Sequence, residues 1–387
     1  MKKRLAILGS TGSIGKQALQ VVDEQSEYFE VEALTAFQNI ELLVEQAKKY
    51  KPNVVVVGNE EYYHQVFDEL DPLDIQVYAG EKAIEQIVEM DSIDLVVMAI
   101  VGFAGLKPTL AALENKKTVA LANKEALVVA GQIISETSLR KNAHIIPIDS
   151  EHSAIFQCLM GEMNNPVQKI ILTASGGPFL DFTEEEIKNV TAKQALKHPT
   201  WNMGDKVSID SATMINKGLE AIEAKWLFDL KPEQIEVVIH PQSLVHSMVY
   251  FEDASVKAQM GEPDMRVPIQ FAMTYPNRLK NSIKRLDLIK AGKLEFQVAD
   301  LKKFSNLALA FEALKIGGNM PCVLNASNEV AVQAFLLNKI GFTDISTVIE
   351  WSIENIDFIN KPTLNQLFET DYEARKKANE FIKTIRN

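Results

Sequence analysis

The chain has few cysteines, no excess of basic residues and no long apolar run, and each absence excludes a class of protein. Cys158 and Cys322 stand in unrelated contexts, so the sequence predicts neither a disulfide framework nor a cysteine-ligated zinc site. The formal net charge of −12 argues against binding to nucleic acid or a membrane surface, where a basic face is expected. An anionic substrate is not excluded, because lysines, hydroxyls and backbone N–H groups can hold a phosphate locally.

The amino-terminal segment is basic, but the apolar stretch Leu5–Leu8 is too short for a signal peptide, and no run is long enough to span a membrane. We therefore expect a cytoplasmic protein. The composition, 47% hydrophobic and 24% charged, is that of a soluble globular protein. A length of 387 residues exceeds one ordinary core, so two or three domains are expected.

The first motif is a glycine-rich loop between a strand and a helix. Residues Arg4–Leu8 are typical of a buried strand, Gly9, Gly12 and Gly15 follow, and Lys16–Glu24 has a helical pattern. In this order the glycines let the backbone approach a pyrophosphate at the amino terminus of the helix. Although the spacing is GxxGxxG rather than GxGxxG, we interpret the loop as a nucleotide-binding site.

The next strand, Val31–Thr35, ends without the acid that NAD-preferring folds use to bind the ribose diol. Its end favours a phosphorylated ribose, although residues 36–39 include no Arg or Lys to bind the phosphate. Further apolar runs alternate with helical stretches, which predicts a doubly wound parallel sheet. These predicted strands are Asn53–Val57, Ile75–Tyr78, Asp94–Ile100 and Thr118–Ala122.

Polar residues stand at the end of the last of these strands. Asn123, Lys124 and Glu125 follow it directly, at the edge where ligands bind in open α/β sheets. Lys124 could therefore hold a substrate carbonyl or phosphate, and the alternative is a solvated loop lysine.

An acid pair follows another short strand, His144–Pro147. If the backbone stays extended, Asp149 and Glu151 point to the same side, because strand side chains repeat every two residues. Two converging carboxylates repel unless a cation lies between them, and an oxygen-only ligand set favours Mg²⁺ or Mn²⁺ over zinc. The alternative is a helix that begins at Ser150.

Small residues and an apolar loop mark the middle of the chain. The strand Lys169–Ala174 leads into Ser175–Phe179, whose small residues predict an anion-binding nest. The loop Lys197–Gly204 contains Trp201 and is a candidate lid over a site. The alternative is a loop pinned to the core by that tryptophan.

A helix is predicted to start in Asp210–Glu220. Asn216, Lys217 and Glu220 would share one face of it, which can point at a site, and the alternative is a Lys–Glu surface pair. Val237–His240 and Val245–Tyr250 are expected to form antiparallel strands joined by residues 241–243. His240 and His246 lie beyond usual metal-ligand spacing, so we interpret both as structural.

We predict four segments along the chain: a nucleotide-binding domain over 1–150, a catalytic α/β domain over 151–275, a linker over 276–306 and a helical domain over 307–387. The helical patterns that suggest a small carboxyl-terminal bundle are Leu307–Ile316, Val323–Leu337, Ile345–Asn355 and Tyr372–Ile385.

Taken together, these motifs resemble the 1-deoxy-D-xylulose 5-phosphate reductoisomerase family, and the likeness spans roughly Arg4–Phe342. The matching segments, in the family's order, are Gly9–Gly15, Leu121–Glu125, Asp149–His152, Ser175–Phe179, His198-Pro199, Asn216–Glu220 and Gly261–Met265. The resemblance implies a Rossmann-like domain that binds NADPH, a catalytic α/β domain and a carboxyl-terminal helical bundle.

The implied reaction converts 1-deoxy-D-xylulose 5-phosphate, a small phosphorylated sugar, into 2-C-methyl-D-erythritol 4-phosphate in non-mevalonate isoprenoid synthesis. A homodimer that uses Mn²⁺, Mg²⁺ or Co²⁺ is implied as well. The implied metal ligands are Asp149, Glu151 and Glu220, which with Lys124 and His198 form the implied catalytic set. Implied substrate contacts are Lys124, Ser150, Glu151, Ser175, His198, Ser211, Asn216, Lys217, Glu220 and Ser243. Implied cofactor contacts are Thr11, Gly12, Ser13, Ile14, Gln38, Asn39, Asn123, Glu125 and Gly204. Trp201 and Met203 match the family's lid.

One position departs from the family, and two other functions compete. The family usually has Gly-Lys-Asn or Gly-Arg-Asn where this chain has Phe37-Gln38-Asn39, so we expect NADPH to be used with reduced discrimination against NADH. An aspartate-semialdehyde-type dehydrogenase would need a nucleophilic cysteine, but Cys158 stands in an apolar helical pattern. A non-enzymatic NADP-sensing protein would not need the three acids together.

Overall fold

The structure is a computed structural model that describes residues 2–162, 164–197 and 204–385. The strands are β1 (Lys3–Leu8), β2 (Phe29–Ala36), β3 (Val54–Val57), β4 (Gln76–Ala79), β5 (Leu95–Met98), β6 (Thr118–Leu121), β7 (Ile145–Pro147), β8 (Val167–Ala174), β9 (Ile235–Ile239), β10 (Val245–Phe251), β11 (Val256–Met260) and β12 (Gln297–Val298). The helices are α1 (Ser13–Glu24), α2 (Ile40–Tyr50), α3 (Tyr63–Leu70), α4 (Glu81–Ile87), α5 (Leu106–Glu114), α6 (Lys124–Lys141), α7 (Ser150–Leu159), α8 (Glu184–Lys188), α9 (Ala192–Ala195), α10 (Asp205–Ala212), α11 (Ile215–Phe228), α12 (Arg266–Thr274), α13 (Leu288–Ala291), α14 (Ser305–Ile316), α15 (Met320–Leu336), α16 (Asp344–Asn355) and α17 (Leu364–Ile385).

The chain forms two compact units. Unit 1 comprises Met1–Ala126, Gln132–Phe156 and Asp264–Lys284, and unit 2 comprises Leu127–Gly131, Gln157–Pro263 and Arg285–Asn387. The four segments predicted from the sequence remain a prediction. The segment predicted as a linker contains α13 and β12, and β12 pairs with β9.

Unit 1 is built on a seven-stranded sheet with the order β4-β3-β2-β1-β5-β6-β7, in which all neighbouring strands are parallel. Both faces of its strands are covered, which explains the unbroken apolar runs: β3 is four valines, all buried. This sheet and the helical carboxyl-terminal region confirm the predicted α/β fold class. Because all strands run the same way, the loops at their carboxyl ends lie along one edge of the sheet.

Unit 2 contains a mixed five-stranded sheet with the order β11-β10-β8-β9-β12. The prediction that Val237–His240 and Val245–Tyr250 form a joined antiparallel pair is wrong, because β8 lies between β9 and β10. β9 pairs with β8 in parallel and β10 pairs with it antiparallel. The central position of β8 agrees with its sequence, since residues 170–174 are all buried.

Helices α14 to α17 follow in unit 2. Helix α17 shows why these sequences form a bundle: Leu367, Ala374, Ala378 and Ile382 recur at helical spacing, and all four are buried. Helix α15 packs against both α16 and α17. In the part of the chain that the structure describes, no helix is both long and apolar enough to cross a membrane.

Candidate active site

The acid pair of unit 1 lies where β7 ends and α7 begins. The N–H of Ser150 donates to Oδ1 of Asp149 at 3.0 Å, and the N–H of Ser153 donates to the Asp149 carbonyl at 2.8 Å. The Asp149 carbonyl therefore accepts the first hydrogen bond of the helix, and the alternative prediction of a helix that begins at Ser150 is confirmed. The backbone is not extended through Glu151, because Glu151 lies in the first turn of α7. The two acids nevertheless converge as predicted, since a carboxylate oxygen of Asp149 lies within 4.8 Å of one of Glu151.

Lys124 is brought to this cap by the neighbouring strand. It is the first residue of α6, directly after β6, and β6 pairs with β7. Its Nζ lies 2.6 Å from Oδ2 of Asp149, and the two side chains are only 13% and 16% exposed. The interpretation of Lys124 as a solvated loop lysine is therefore wrong. A partly buried ammonium beside a carboxylate can hold an anionic or carbonyl oxygen of a ligand.

Two more residues in the first turn of α7 are fixed by close contacts. The hydroxyl of Ser150 donates to Oε2 of Glu151 at 2.6 Å. His152, for which we predicted no role, is fully buried, with Nδ1 4.0 Å from Oδ2 of Asp149. The signal for His152 was its position one helical turn after Asp149, which becomes visible only once the helix start is known.

The serine-glycine loop of unit 2 follows β8. Gly176 and Gly177 have positive φ values of 87° and 67°, and the N–H of Gly177 donates to Oγ of Ser175 at 3.2 Å. A Cβ placed on Gly177 would lie 2.8 Å from the carbonyl oxygen of Ser211. The Gly177 backbone and the end of α10 are thus in contact, so Ser175 and Ser211, two residues implied to bind substrate, lie on adjoining segments.

The helix predicted to start in Asp210–Glu220 is interrupted. Asp210 belongs to α10, Met214 adopts a left-handed conformation with φ 63°, and α11 begins at Ile215. A single unbroken helix over Asp210–Glu220 is therefore wrong, although α11 does begin within that segment. The break could not be read from the sequence, because methionine is not a residue that typically adopts a left-handed conformation. The break starts a new helix whose first turn carries Asn216 and Lys217.

The shared face of α11 is formed as expected. Glu220 is 1% exposed and accepts hydrogen bonds from Nδ2 of Asn216 at 2.5 Å and from Nζ of Lys217 at 2.7 Å. The Lys217 side chain is only 9% exposed, so the simple surface pair is wrong. Two donors therefore orient the Glu220 carboxylate and support its charge in a buried place.

Ser243 has the local signature of a ligand contact in unit 2. Its φ is 51°, it is 8% exposed, and among the residues that the structure describes its hydroxyl has no hydrogen-bond partner. Buried hydroxyls without partners are costly, so this one is a candidate for pairing with a bound group. Nearby, His240 is fully buried, with Nδ1 2.8 Å from the Glu295 carbonyl and Nε2 accepting from the Leu244 N–H at 3.2 Å. Both ring nitrogens are occupied, as a structural histidine requires.

The glycine loop of unit 1 leads into α1. Gly12 caps that helix without a side-chain hydrogen bond, and Gly12 and Ser13 are exposed. The first N–H groups of α1 can therefore receive an anion such as a pyrophosphate. Gly15 is required by packing, since a Cβ there would lie 2.3 Å from the Gly9 carbonyl oxygen.

Three further predicted cofactor contacts cap helices or lie buried in unit 1. Asn39 caps α2 and accepts from the N–H of Leu42 at 3.3 Å. Asn123 is 2% exposed, and its Nδ2 donates to the carbonyls of Ile100 and Gly102, both at 2.7 Å. Its Oδ1 accepts from the Ala126 N–H at 2.8 Å, so its side chain fastens the loop after β5 to the start of α6. Glu125 is also buried.

A cavity of about 750 Å³ opens at the carboxyl ends of β2, β3 and β4. Its lining residues, which sequence reasoning missed apart from Phe37, are Phe37, Gly58, Asn59, Glu60, Glu61, Gly80, Glu81, Lys82, Glu85 and Lys107. The rule that ligands bind at the carboxyl edge could have found several of them, because Gly58 and Gly80 directly follow β3 and β4.

Some predicted site residues lie in the other unit from the one expected, or outside the residues that the structure describes. Gly204, a predicted cofactor contact, caps α10 in unit 2 and is exposed. His198, Trp201 and Met203 lie outside the described residues. Cys158 is buried in α7, and burial raises the pKa of its thiol to about 11, so the nucleophile that an aspartate-semialdehyde-type dehydrogenase needs is not provided by this residue.

Comparison with known proteins identifies the family. The family model described as 1-deoxy-D-xylulose 5-phosphate reductoisomerase matches residues 5–131. The model of the 1-deoxy-D-xylulose 5-phosphate reductoisomerase C-terminal domain matches residues 145–228. The model described as the DXP reductoisomerase C-terminal domain matches residues 260–377. A 1-deoxy-D-xylulose 5-phosphate reductoisomerase of Bacteroides fragilis is 56% identical over 381 residues, which cover 98% of each chain.

Two solved structures are similar over nearly the whole chain. A DOX-P reductoisomerase in complex with NADPH, fosmidomycin and magnesium has a TM-score of 0.94 at 40% identity, covering 100% of this chain and 99% of that one. The Zymomonas mobilis enzyme in complex with NADPH has a TM-score of 0.93 at 40% identity, covering 99% of each. The chain belongs to the 1-deoxy-D-xylulose 5-phosphate reductoisomerase family.

Proposed function

We propose that this chain is an NADP-dependent oxidoreductase that converts 1-deoxy-D-xylulose 5-phosphate into 2-C-methyl-D-erythritol 4-phosphate in non-mevalonate isoprenoid biosynthesis. The reaction would break and re-form a carbon–carbon bond by a retro-aldol and aldol path, and then reduce the resulting aldehyde. Family membership along nearly the whole chain supports the reaction, and the orientation of Glu220 by Asn216 and Lys217 carries the assignment of the site.

Asp149, Glu151 and Glu220 are the proposed ligands of the divalent ion. All three are carboxylates, which suits Mg²⁺, Mn²⁺ or Co²⁺. Each is oriented by a neighbouring donor, namely Lys124 for Asp149, Ser150 for Glu151, and Asn216 with Lys217 for Glu220. When bound, the ion supplies Lewis-acid polarisation of substrate oxygens.

The phosphate and hydroxyl groups of the substrate are assigned to Ser175, Ser211, Asn216, Lys217 and Ser243. The contact between the Ser175 loop and Ser211, together with the unpartnered hydroxyl of Ser243, supports this assignment. Lys124, Ser150 and His198 are assigned to the oxygens nearer the reacting carbons, where the Lys124 ammonium would stabilise negative charge as it develops on oxygen.

The cofactor is assigned to the amino terminus of α1 and the loops beside it. The first N–H groups of α1, which begins at the exposed Ser13, would hold its pyrophosphate. Further contacts are assigned to Thr11, Ile14, Gln38, Asn39, Asn123, Glu125 and Gly204. NADPH, when bound, supplies the hydride that reduces the aldehyde carbon. Trp201 and Met203 are assigned to a lid that excludes water from the reaction.

Exchange of Glu151 for the isosteric glutamine tests the site. Glu151→Gln removes one charge while keeping size and a hydrogen-bond acceptor for Ser150. We expect metal-dependent turnover to fall by at least a hundredfold with an unchanged melting temperature in metal-free buffer. Glu185→Gln on the exposed helix α8 is the matched control and should retain activity. Unchanged turnover of Glu151→Gln would refute its assignment as a ligand.

We further propose a cytoplasmic homodimer. Six apolar side chains are exposed along one segment of unit 2, namely Leu288, Ile289, Leu294, Phe296, Val298 and Leu301. Ile289 and Val298 are 91% and 89% exposed, and clustered apolar exposure is typical of an association surface. Light scattering should give twice the chain mass for the native protein and a lower mass for the double substitution Ile289→Lys, Val298→Lys. A native mass of one chain would refute the dimer.

A further inference from the structure

Phe37 is an exposed aromatic residue in the cavity at the carboxyl ends of β2, β3 and β4. It directly follows β2 and is 50% exposed, although large apolar side chains beside it in β2 are buried. An aromatic ring left open to a cavity of about 750 Å³ provides a flat surface for another ring.

The position of the ring is fixed by its surroundings. A Cβ on Gly58 would lie 2.3 Å from Cδ2 of Phe37, so the ring rests directly on the backbone of the residue after β3. The backbone is held too, because the Gly58 N–H donates to the Ala36 carbonyl at 2.8 Å and the Asn59 N–H donates to the Phe37 carbonyl at 3.2 Å. The aromatic face is therefore preorganised before any ligand arrives.

The charges around the same cavity favour a base over a phosphate. Its lining contains four carboxylates, of Glu60, Glu61, Glu81 and Glu85, and two ammonium groups, of Lys82 and Lys107. Lys107 is further engaged by Glu85, with Nζ 3.7 Å from Oε1. A net negative lining repels a phosphate dianion but leaves a neutral purine unaffected.

We propose that Phe37 is a specificity-determining residue that stacks on the adenine of the dinucleotide. This inference rests on the proposed use of NADPH, and it assigns much of the affinity for the cofactor to its adenine ring. The chain binds the cofactor through the base, by stacking, rather than through the 2′-phosphate. Affinity for the adenosine half is then shared by the phosphorylated and unphosphorylated cofactors.

The direct test is calorimetric binding of NADPH, 2′,5′-ADP and 5′-AMP to the full chain and to three variants. Phe37→Leu removes the ring and keeps apolar volume, and it should weaken all three ligands by about tenfold, which is the size of one base–aromatic stack. Phe37→Trp keeps an aromatic ring, so it should bind each of the three ligands with an affinity within about threefold of that of the native protein. Tyr78→Leu, at an equally exposed tyrosine of β4 that does not line the cavity, should bind like the native protein.

The outcomes separate the inference from the function. Unchanged 5′-AMP binding by Phe37→Leu, or weakening confined to 2′,5′-ADP, would overturn the stacking assignment while leaving the enzyme function in place. Failure of the native protein to bind NADPH would overturn the proposed function and the stacking assignment with it. Melting temperatures of the variants verify that each is folded, and the Phe37→Trp result remains decisive if Phe37→Leu is unstable.

Discussion

Nζ of Lys124 lies 2.6 Å from Oδ2 of Asp149, in an ion pair that joins the ends of two neighbouring parallel strands of unit 1. The same carboxylate accepts the N–H of Ser150, the first residue of α7, and is a proposed metal ligand. A lysine that pairs with a metal ligand competes with the ion for it, and is also placed to contact the substrate that the ion binds.

Lys124→Met should therefore separate ion binding from catalysis. Loss of a charge-assisted contact of about 1.5–3 kcal/mol should lower kcat/KM for 1-deoxy-D-xylulose 5-phosphate by about tenfold to a hundredfold. Affinity for Mn²⁺, measured by calorimetry, should stay the same or rise, because the carboxylates remain and their competitor is gone. A large loss of Mn²⁺ affinity would contradict this account of the pair.

Lys217→Met tests the buried charge of Glu220. Removing one partner of a buried ion pair destabilises by up to about 3–5 kcal/mol, and here the Asn216 amide still donates to the remaining carboxylate, so the loss should lie at the lower end. We expect a lower melting temperature in metal-free buffer and a partial recovery when Mn²⁺ is added, because the ion would supply the missing positive charge.

The matched control for this prediction is Lys225→Met on the same helix, where the ammonium lies over the Trp226 ring. It should show a smaller loss of stability and no specific recovery with Mn²⁺. Equal recovery in both variants would argue that Glu220 is not a ligand.

Gln38→Arg tests the expected weak discrimination between cofactors. The native protein should use NADPH with a modest preference over NADH, because no basic side chain follows β2 at residues 37–39. An added guanidinium should raise the ratio of the two kcat/KM values by about tenfold or more, mainly through the KM for NADPH. A native preference of many thousandfold would contradict this expectation.

Asp94→Asn predicts a pH-dependent loss of stability. Hydrogen bonds from the Arg4 guanidinium lower the pKa of the Asp94 carboxyl below its usual value. A lowered folded-state pKa stabilises the protein above the unfolded value, near pH 4, and this contribution disappears as pH falls through the folded value. Both side chains are about 40% exposed, so the loss at pH 7 should be at most about 1 kcal/mol. Denaturation by urea from pH 7 to pH 3 should show the native protein and the variant converging at the acid end.

Much of this fold could be predicted from local patterns in the sequence. The valine run of β3 and the glycine loop before α1 are apolar or steric signals that depend only on neighbouring residues. The separation of β9 from β10 by β8 was not predictable in this way, because strand order depends on contacts between distant residues. The left-handed Met214 that ends one helix and starts another has no local signal either.

The site shows the same division between local and distant signals. The shared face of Asn216, Lys217 and Glu220 follows from helical spacing and is formed. The pairing of Lys124 with Asp149 needed the order of β6 and β7, and the contact of Phe37 with Gly58 needed the order of β2 and β3. Residues at the carboxyl ends of adjacent parallel strands become neighbours only through that order.

Metal-dependent reduction of 1-deoxy-D-xylulose 5-phosphate by NADPH is the activity on which the site assignments depend. The most direct measurement is NADPH oxidation in the presence of 1-deoxy-D-xylulose 5-phosphate, before chelation, after chelation and after adding back Mn²⁺ or Mg²⁺. We predict turnover that disappears with chelation and returns with either ion, together with formation of 2-C-methyl-D-erythritol 4-phosphate. Turnover that persists in the chelated protein, or no oxidation of NADPH with this substrate under any of these conditions, would contradict the account.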